Sequence, residues 1–149
     1  MIFTGDFEID EFKAAMMKEF EMTDLGLMKY FLGIEFEQSE KGIFMCQNKC
    51  SKDLLKRFTM ENCKHVPTPV ATSTKLSKDD EGSYVNPTLF KILVGSLMYL
   101  IATRPDIMQG VHLISKFMET PKDTHYNVGK RILRYIARTR DCGIMYANT

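Results

Sequence analysis

Three prolines set the frame for the second half of this chain. Each stands at the head of a run in which apolar residues recur at three- and four-residue steps: Pro87 after Asn86, Pro105 after Arg104, and Pro121 after Thr120. Proline lacks an amide proton and holds φ near the helical value, so it suits the first turn of one helix and ends the helix before it. Three consecutive helices are therefore expected. Leu89, Ile92, Leu93, Leu97, Leu100 and Ile101 form the first stripe, Ile107, Val111, Ile114, Phe117 and Met118 the second, and Val128, Ile132, Leu133 and Ile136 the third. Helices apolar on one face must pack against one another. Cys142-Gly143 then turns the chain into Ile144-Met145-Tyr146, a short strand.

The first half follows another rhythm. Met1 to Thr4 is β-compatible, and Gly5-Asp6 closes it. From Glu8 to Met22, Ile9, Phe12, Met16 and Phe20 mark a helix buried on one side. Tyr30 to Glu37 alternates apolar with acidic residues, Ser39 to Gly42 supplies a turn, and Ile43 to Gln47 returns, which predicts a hairpin. Ser51 is placed to cap a short helix over Lys52 to Met60, with Leu54, Leu55 and Phe58 inward. Between the halves, Val66 to Gly82 holds Pro67-Thr68-Pro69, a Thr/Ser run and Asp79-Asp80-Glu81, with Leu76 nearly its only large apolar residue. Connectors of that length are usually functional or mobile.

Composition removes several classes. Hydrophobic residues are 44% and charged residues 26% of the 149, close to the globular average, which argues against disorder. The longest apolar run, Ile92 to Ala102, is interrupted by Gly95 and Ser96 and falls short of a membrane span. The opening residues lack a basic segment and turn acidic at once, the wrong order for a secretory signal. Cys46, Cys50, Cys63 and Cys142 show no paired spacing, so reduced thiols are expected and neither a disulfide framework nor zinc. The eleven methionines fall mainly on apolar stripes and read as core filling.

No obvious active site assembles. There is no phosphate-binding glycine loop, His65, His112 and His125 are scattered and read as surface or packing residues, and Asp79-Asp80-Glu81 reads as solvated. Charge is uneven although the net is only +1. The first 24 residues carry seven acids against two lysines; from Arg104 onward eight cations face four acids. Lys130, Arg131, Arg134 and Arg138 recur at helical spacing opposite the third apolar stripe, a face suited either to successive phosphates or simply to solvent.

Several strings together carry a resemblance. Phe20 to Gly26, Tyr30 to Glu35, Val66 to Pro69, Leu93 to Leu100, Ala102 to Ile107 and Lys130 to Tyr135 resemble, in collinear order, the reverse transcriptase of copia-type long-terminal-repeat retrotransposons. The resemblance implies an α+β fold: a palm-end strand, helix and β-hairpin, followed by a three-helix thumb-like bundle and a short terminal strand. It implies residues 1–65 as the palm end, 66–86 as a connector, and 87–149 as thumb and connection helices leading toward a ribonuclease H domain. Phe31, Leu32, Gly33 and Ile34 would be primer-grip-like, and Lys130, Arg131, Arg134 and Arg138 would contact nucleic acid.

The family's catalytic aspartates stand in a Tyr-Val-Asp-Asp hairpin before Ile2-Phe3-Thr4-Gly5, so the resemblance implies a truncated, non-catalytic fragment. Magnesium would belong to the parent enzyme and no cofactor to these residues. The implied partners are an RNA–DNA or DNA duplex, the fingers and palm, and the ribonuclease H portion, with no membrane; the implied setting is cytoplasmic, in a virus-like particle. A rival reading comes from Arg131-Ile132-Leu133-Arg134, which spells the R-x-L-R string of secreted effectors that suppress host immunity. That reading makes the chain a non-catalytic interaction protein.

Overall fold

The computed structural model describes residues 6–148, with side chains from Glu8 onward. The strand expected over Met1 to Thr4 lies outside the described residues. The order is helix α1 (Asp6–Glu19), strands β1 (Tyr30–Phe31), β2 (Ile34–Ser39) and β3 (Gly42–Cys46), and helix α2 (Asn48–Arg57). Beyond a long connector come α3 (Pro87–Leu100), a 3-10 turn (Pro105–Ile107), α4 (Met108–Ser115), α5 (Asp123–Arg138) and β4 (Ile144–Ala147). The class is α+β, as expected.

Pro87 opens α3 and Pro105 opens the 3-10 turn that leads into α4, whereas Pro121 lies outside α5, which starts at Asp123 behind Lys122. The Asn86 side chain accepts from the amides of Thr88 (2.9 Å) and Leu89 (3.3 Å), capping α3 one residue before Pro87. The three stripes meet, with the first turned slightly from its expected line: Phe90, Leu93, Val94, Leu97 and Leu100 of α3 pack with Ile107, Val111, Ile114, Ile132, Leu133 and Ile136, while Leu89 is 40% exposed. Leu54 and Leu55 of α2 join the same core. Each such side chain, fully buried, contributes about 1.5–3 kcal/mol of hydrophobic stabilisation.

The strands form one antiparallel sheet in the order β1-β2-β3-β4. Glu35 pairs with Cys46 and Ser39 with Gly42, which leaves Glu40-Lys41 as a two-residue loop. β4 reaches back across the sequence to β3, pairing Ile43 with Tyr146 and Phe44 with Met145. Gly42 permits this approach. Its φ is 136°, and a Cβ there would run into the Tyr146 carbonyl.

Three expectations need correction. α2 begins at Asn48 rather than after Ser51; Ser51 is buried inside the helix and caps nothing. Gln47 precedes α2, and its side chain turns inward to Thr103 Oγ1 (2.9 Å). The α1 stripe is not buried, since Phe12 and Phe20 stand 51% and 58% exposed. None of the ten described methionines is buried, because Leu, Ile and Phe fill the core and the thioethers lie at its margins or in solvent.

The connector is held over its second half. Val85 N–H donates to the Pro121 carbonyl and Asp123 N–H to Ser83 O, each at 2.9 Å, and Lys122 Nζ donates to Asp80 O. His125, fully buried and stacked on Phe117 with ring centroids 3.9 Å apart, anchors the middle. Its Nδ1 accepts the Lys122 amide at 3.0 Å, so the ring proton sits on Nε2 and is donated to the Ser77 carbonyl at 3.0 Å.

Candidate nucleic-acid interface

Helix α5 carries the cations because its buried residues leave them one arc. Gly129, Ile132, Leu133 and Ile136 face the core, and at about 100° per residue Lys130, Arg134 and Arg138 fall together on the far side, with Arg131 at its edge. Arg134 and Arg138 are exposed. Lys130 holds its ammonium 4.7 Å from the centre of the Tyr126 ring. Arg131 is half-buried, and its Nη2 donates to Thr68 Oγ1 at 3.0 Å while its buried Nε has no acceptor. His125 Nε2, which donates to Ser77, lies 3.7 Å from Asp80 Oδ2, and the ion pairs among the described residues are Lys13–Asp24 and Arg104–Asp106. None of the four α5 cations is neutralised by one.

Arg104 behaves differently from the rest of the basic half. Its side chain is 3% exposed, and it donates to both carboxylate oxygens of Asp106 (2.9 and 2.8 Å) and to the carbonyl (2.9 Å) and hydroxyl (2.6 Å) of Thr139. The Tyr135 hydroxyl also donates to Asp106, at 2.8 Å. Burial alone would push the Asp106 carboxyl up, but the hydrogen bonds from Arg104 and Tyr135, with the guanidinium charge, hold it below its ordinary value. Arg104 is a structural lock between the α3–α4 junction and the end of α5. It is not a free cation, so the eight-to-four excess overstates the charge offered to a partner.

The hairpin residues lie elsewhere. Leu32 (φ 49°) and Gly33 (φ 80°) form the two-residue turn joining β1 to β2, both in the left-handed region that such turns require. Phe31 and Leu32 are 55% and 71% exposed, and Gly33 and Ile34 are half-buried. Two helices grip the turn. The Tyr99 hydroxyl of α3 donates to the Leu32 carbonyl, and the Cys50 thiol of α2 lies 3.4 Å from the Gly33 carbonyl. Burial pushes the Cys50 thiol up, which keeps it protonated as a donor.

Beside the turn runs a groove of about 390 Å³ between α2 and α3, lined by Cys50, Asp53, Arg57, Gly95, Ser96 and Tyr99. Gly95 is exposed, and a Cβ there would meet nothing. Sequence reasoning passed over this groove because a lone glycine inside a helix signals nothing by itself. Its exposure beside Tyr99 becomes visible only when α2 is laid against α3. The groove and the α5 cations do not form one surface. Leu93 packs against Gly129 of α5, and Gly95 lies about 200° round α3 from Leu93, pointing away from α5.

Comparison with known proteins decides the family. Residues 1–72 match the family described as Reverse transcriptase (RNA-dependent DNA polymerase). Over 130 residues, 87% of the chain, it is 41% identical to the "Retrovirus-related Pol polyprotein from transposon RE2" of Arabidopsis thaliana. The chain belongs to the copia-type Pol polyproteins. It is also 37% identical over 144 residues to the Pol polyprotein from transposon TNT 1-94 of Nicotiana tabacum. It spans only 9% and 11% of those two relatives, so it corresponds to about a tenth of a Pol polyprotein's length. No solved structure matches.

A shorter likeness, 41% over 54 residues, joins 36% of the chain to 38% of "Secreted RxLR effector protein 161" of Plasmopara viticola. The R-x-L-R string itself sits within α5, where Ile132 and Leu133 are fully buried. Among the described residues no helix is long and apolar enough to cross a membrane.

Proposed function

We propose that this segment of a reverse transcriptase holds a primer–template duplex, RNA–DNA or DNA, without sequence preference, and carries out no nucleotide transfer itself. The unneutralised arc of Lys130, Arg131, Arg134 and Arg138 on α5 carries this reading. Cations spaced along one helix face suit a phosphate backbone, contacts that fix position and ignore base identity. The exposed Phe31 and Leu32 of the turn and the open groove at Gly95 add a second surface. An exposed glycine inside a helix costs about 1 kcal/mol relative to alanine, so its use where a methyl would fit favours close approach of another backbone.

Magnesium, which the family implies, does not fit the described residues: no group of three or more His, Cys, Asp or Glu side chains is placed to hold a metal ion. The fingers, palm and ribonuclease H portions are the other partners in this reading, and a cytoplasmic particle its setting. The effector reading gains nothing from a motif whose central residues are core.

Two experiments bear on the proposal. Anisotropy titrations of a labelled RNA–DNA hybrid between about 50 and 200 mM salt should give a log–log slope near −3 to −4, as four phosphate contacts require. Affinity that ignores salt overturns the electrostatic reading. Primer extension by the purified chain on a primed RNA with magnesium should yield no product, and product would overturn the non-catalytic half.

A further inference from the structure

Arg131 presents one edge of its guanidinium, the edge bearing Nε and Nη2, in an unfinished state. Nη2 reaches the Thr68 hydroxyl at 3.0 Å, and the buried Nε–H beside it has no acceptor among the described residues. That edge is one of the two through which arginine binds two oxygens of a phosphate at once. A single hydroxyl oxygen supplies half of what it takes. Thr68 is exposed, lies in the connector and precedes Pro69.

We infer that Thr68 is a phosphorylation site, modified by a proline-directed serine/threonine kinase and read by Arg131. The transfer moves the γ-phosphoryl group of ATP to Thr68 Oγ1; the hydroxyl proton goes to the kinase's base and ADP leaves. The product carries a charge of about −1.5 to −2 and three acceptor oxygens. Two of them complete the Arg131 edge, replacing the hydroxyl and supplying the missing partner of Nε.

A second Thr-Pro pair shows what is particular to Thr68. Thr120 also precedes a proline, but Pro121 is buried, its carbonyl accepts Val85 N–H at 2.9 Å, and Tyr84 bridges to Lys122 beside it. A kinase that reads the proline finds it covered there. Pro69 is only half-buried.

The modification would place its charge at the edge of the α5 cation arc and engage one of its four members. Phosphorylation is then a switch that releases nucleic acid. This regulatory half rests on the duplex-binding reading above; the Arg131 seat does not.

The full chain, incubated with a proline-directed kinase and ATP, should gain one phosphate, mapped to Thr68 by fragmentation, absent from Thr68→Val and absent at Thr120. An unmodified Thr68 overturns the inference. In nitrogen-15-labelled protein the Arg131 Nε–H resonance should move downfield on phosphorylation, a readout that needs no variant. By phosphorus NMR the phosphate should titrate below its free value of ~6, and nearer to that value in Arg131→Gln. An unmoved Nε–H signal, or coincident titrations in two folded proteins, overturns the seat. At low salt the phosphorylated chain should bind the RNA–DNA hybrid about tenfold more weakly. Equal affinity overturns the switch. No binding by the unmodified chain overturns the duplex reading and the switch with it, and leaves the seat to the NMR result.

Discussion

Two buried polar residues hold the helical half together. Arg104 joins the α3–α4 junction to the end of α5 through Asp106 and Thr139. Replacing it with alanine removes four hydrogen bonds at once, leaving Asp106 only the Tyr135 hydroxyl and the Thr139 carbonyl only the Cys142 amide, and a loss of about 2–3 kcal/mol in urea unfolding is expected. Asp106 makes the same lock sensitive to acid. Its carboxyl is depressed in the folded protein, so its stabilisation is complete above the unfolded value, about pH 4, and disappears as pH falls through the lower folded value. Thermal unfolding from neutral pH downward should show this loss, and Asp106→Asn should flatten it. His125→Ala should cost about 3 kcal/mol by urea unfolding, because two buried hydrogen bonds and the stack on Phe117 go together. None of this was legible in the chain: Arg104 reads as one more cation in a basic half until Thr139, 35 residues on, is seen beside it.

At the scale of elements the sequence is far more informative, for a physical reason. Proline and Asn caps act over three or four residues, so the start of α3 follows from local chemistry alone. α2 does not begin at its apparent cap, because burial of Ser51 and the inward turn of Gln47 are set by α3 and Thr103. The α1 stripe has the right period, yet Phe12, Phe20 and Met22 remain exposed. Periodicity states what a helix is able to bury and not what stands opposite. Deuterium exchange should therefore find α1 amides exchanging well before those of α3 and α5. The Gly95 groove allows a sharper test. Gly95→Ala should raise stability by about 0.5–1 kcal/mol, since nothing meets the added methyl, while weakening hybrid binding. Stabilisation with unchanged affinity would remove the groove from the interface.

Over the whole molecule, two candidate surfaces face different ways. The α5 cations stand on one side of the α3–α5 pair and the Gly95 groove with the Leu32-Gly33 turn on the other. The α5 cations and the turn were readable in sequence, but the groove and the separation of the two surfaces were not, because spacing along a chain does not report which face of a bundle a helix presents. Neutralising Lys130, Arg134 and Arg138 together should lower the salt slope by about 2–3 and leave stability within about 0.5 kcal/mol. An unchanged slope would assign the electrostatics to other cations, Arg57 in the groove among them.

The pairing of β4 with β3 has a consequence in time. Gly42–Cys46 is synthesised about a hundred residues before Ile144–Ala147, so at 5–20 residues per second its outer edge waits roughly 5–20 s for its neighbour. During that wait a nascent chain offers an unpaired strand beside apolar side chains such as Ile43 and Phe44. On a crowded polysome, the first neighbour able to complete that ladder is the same strand of another nascent chain.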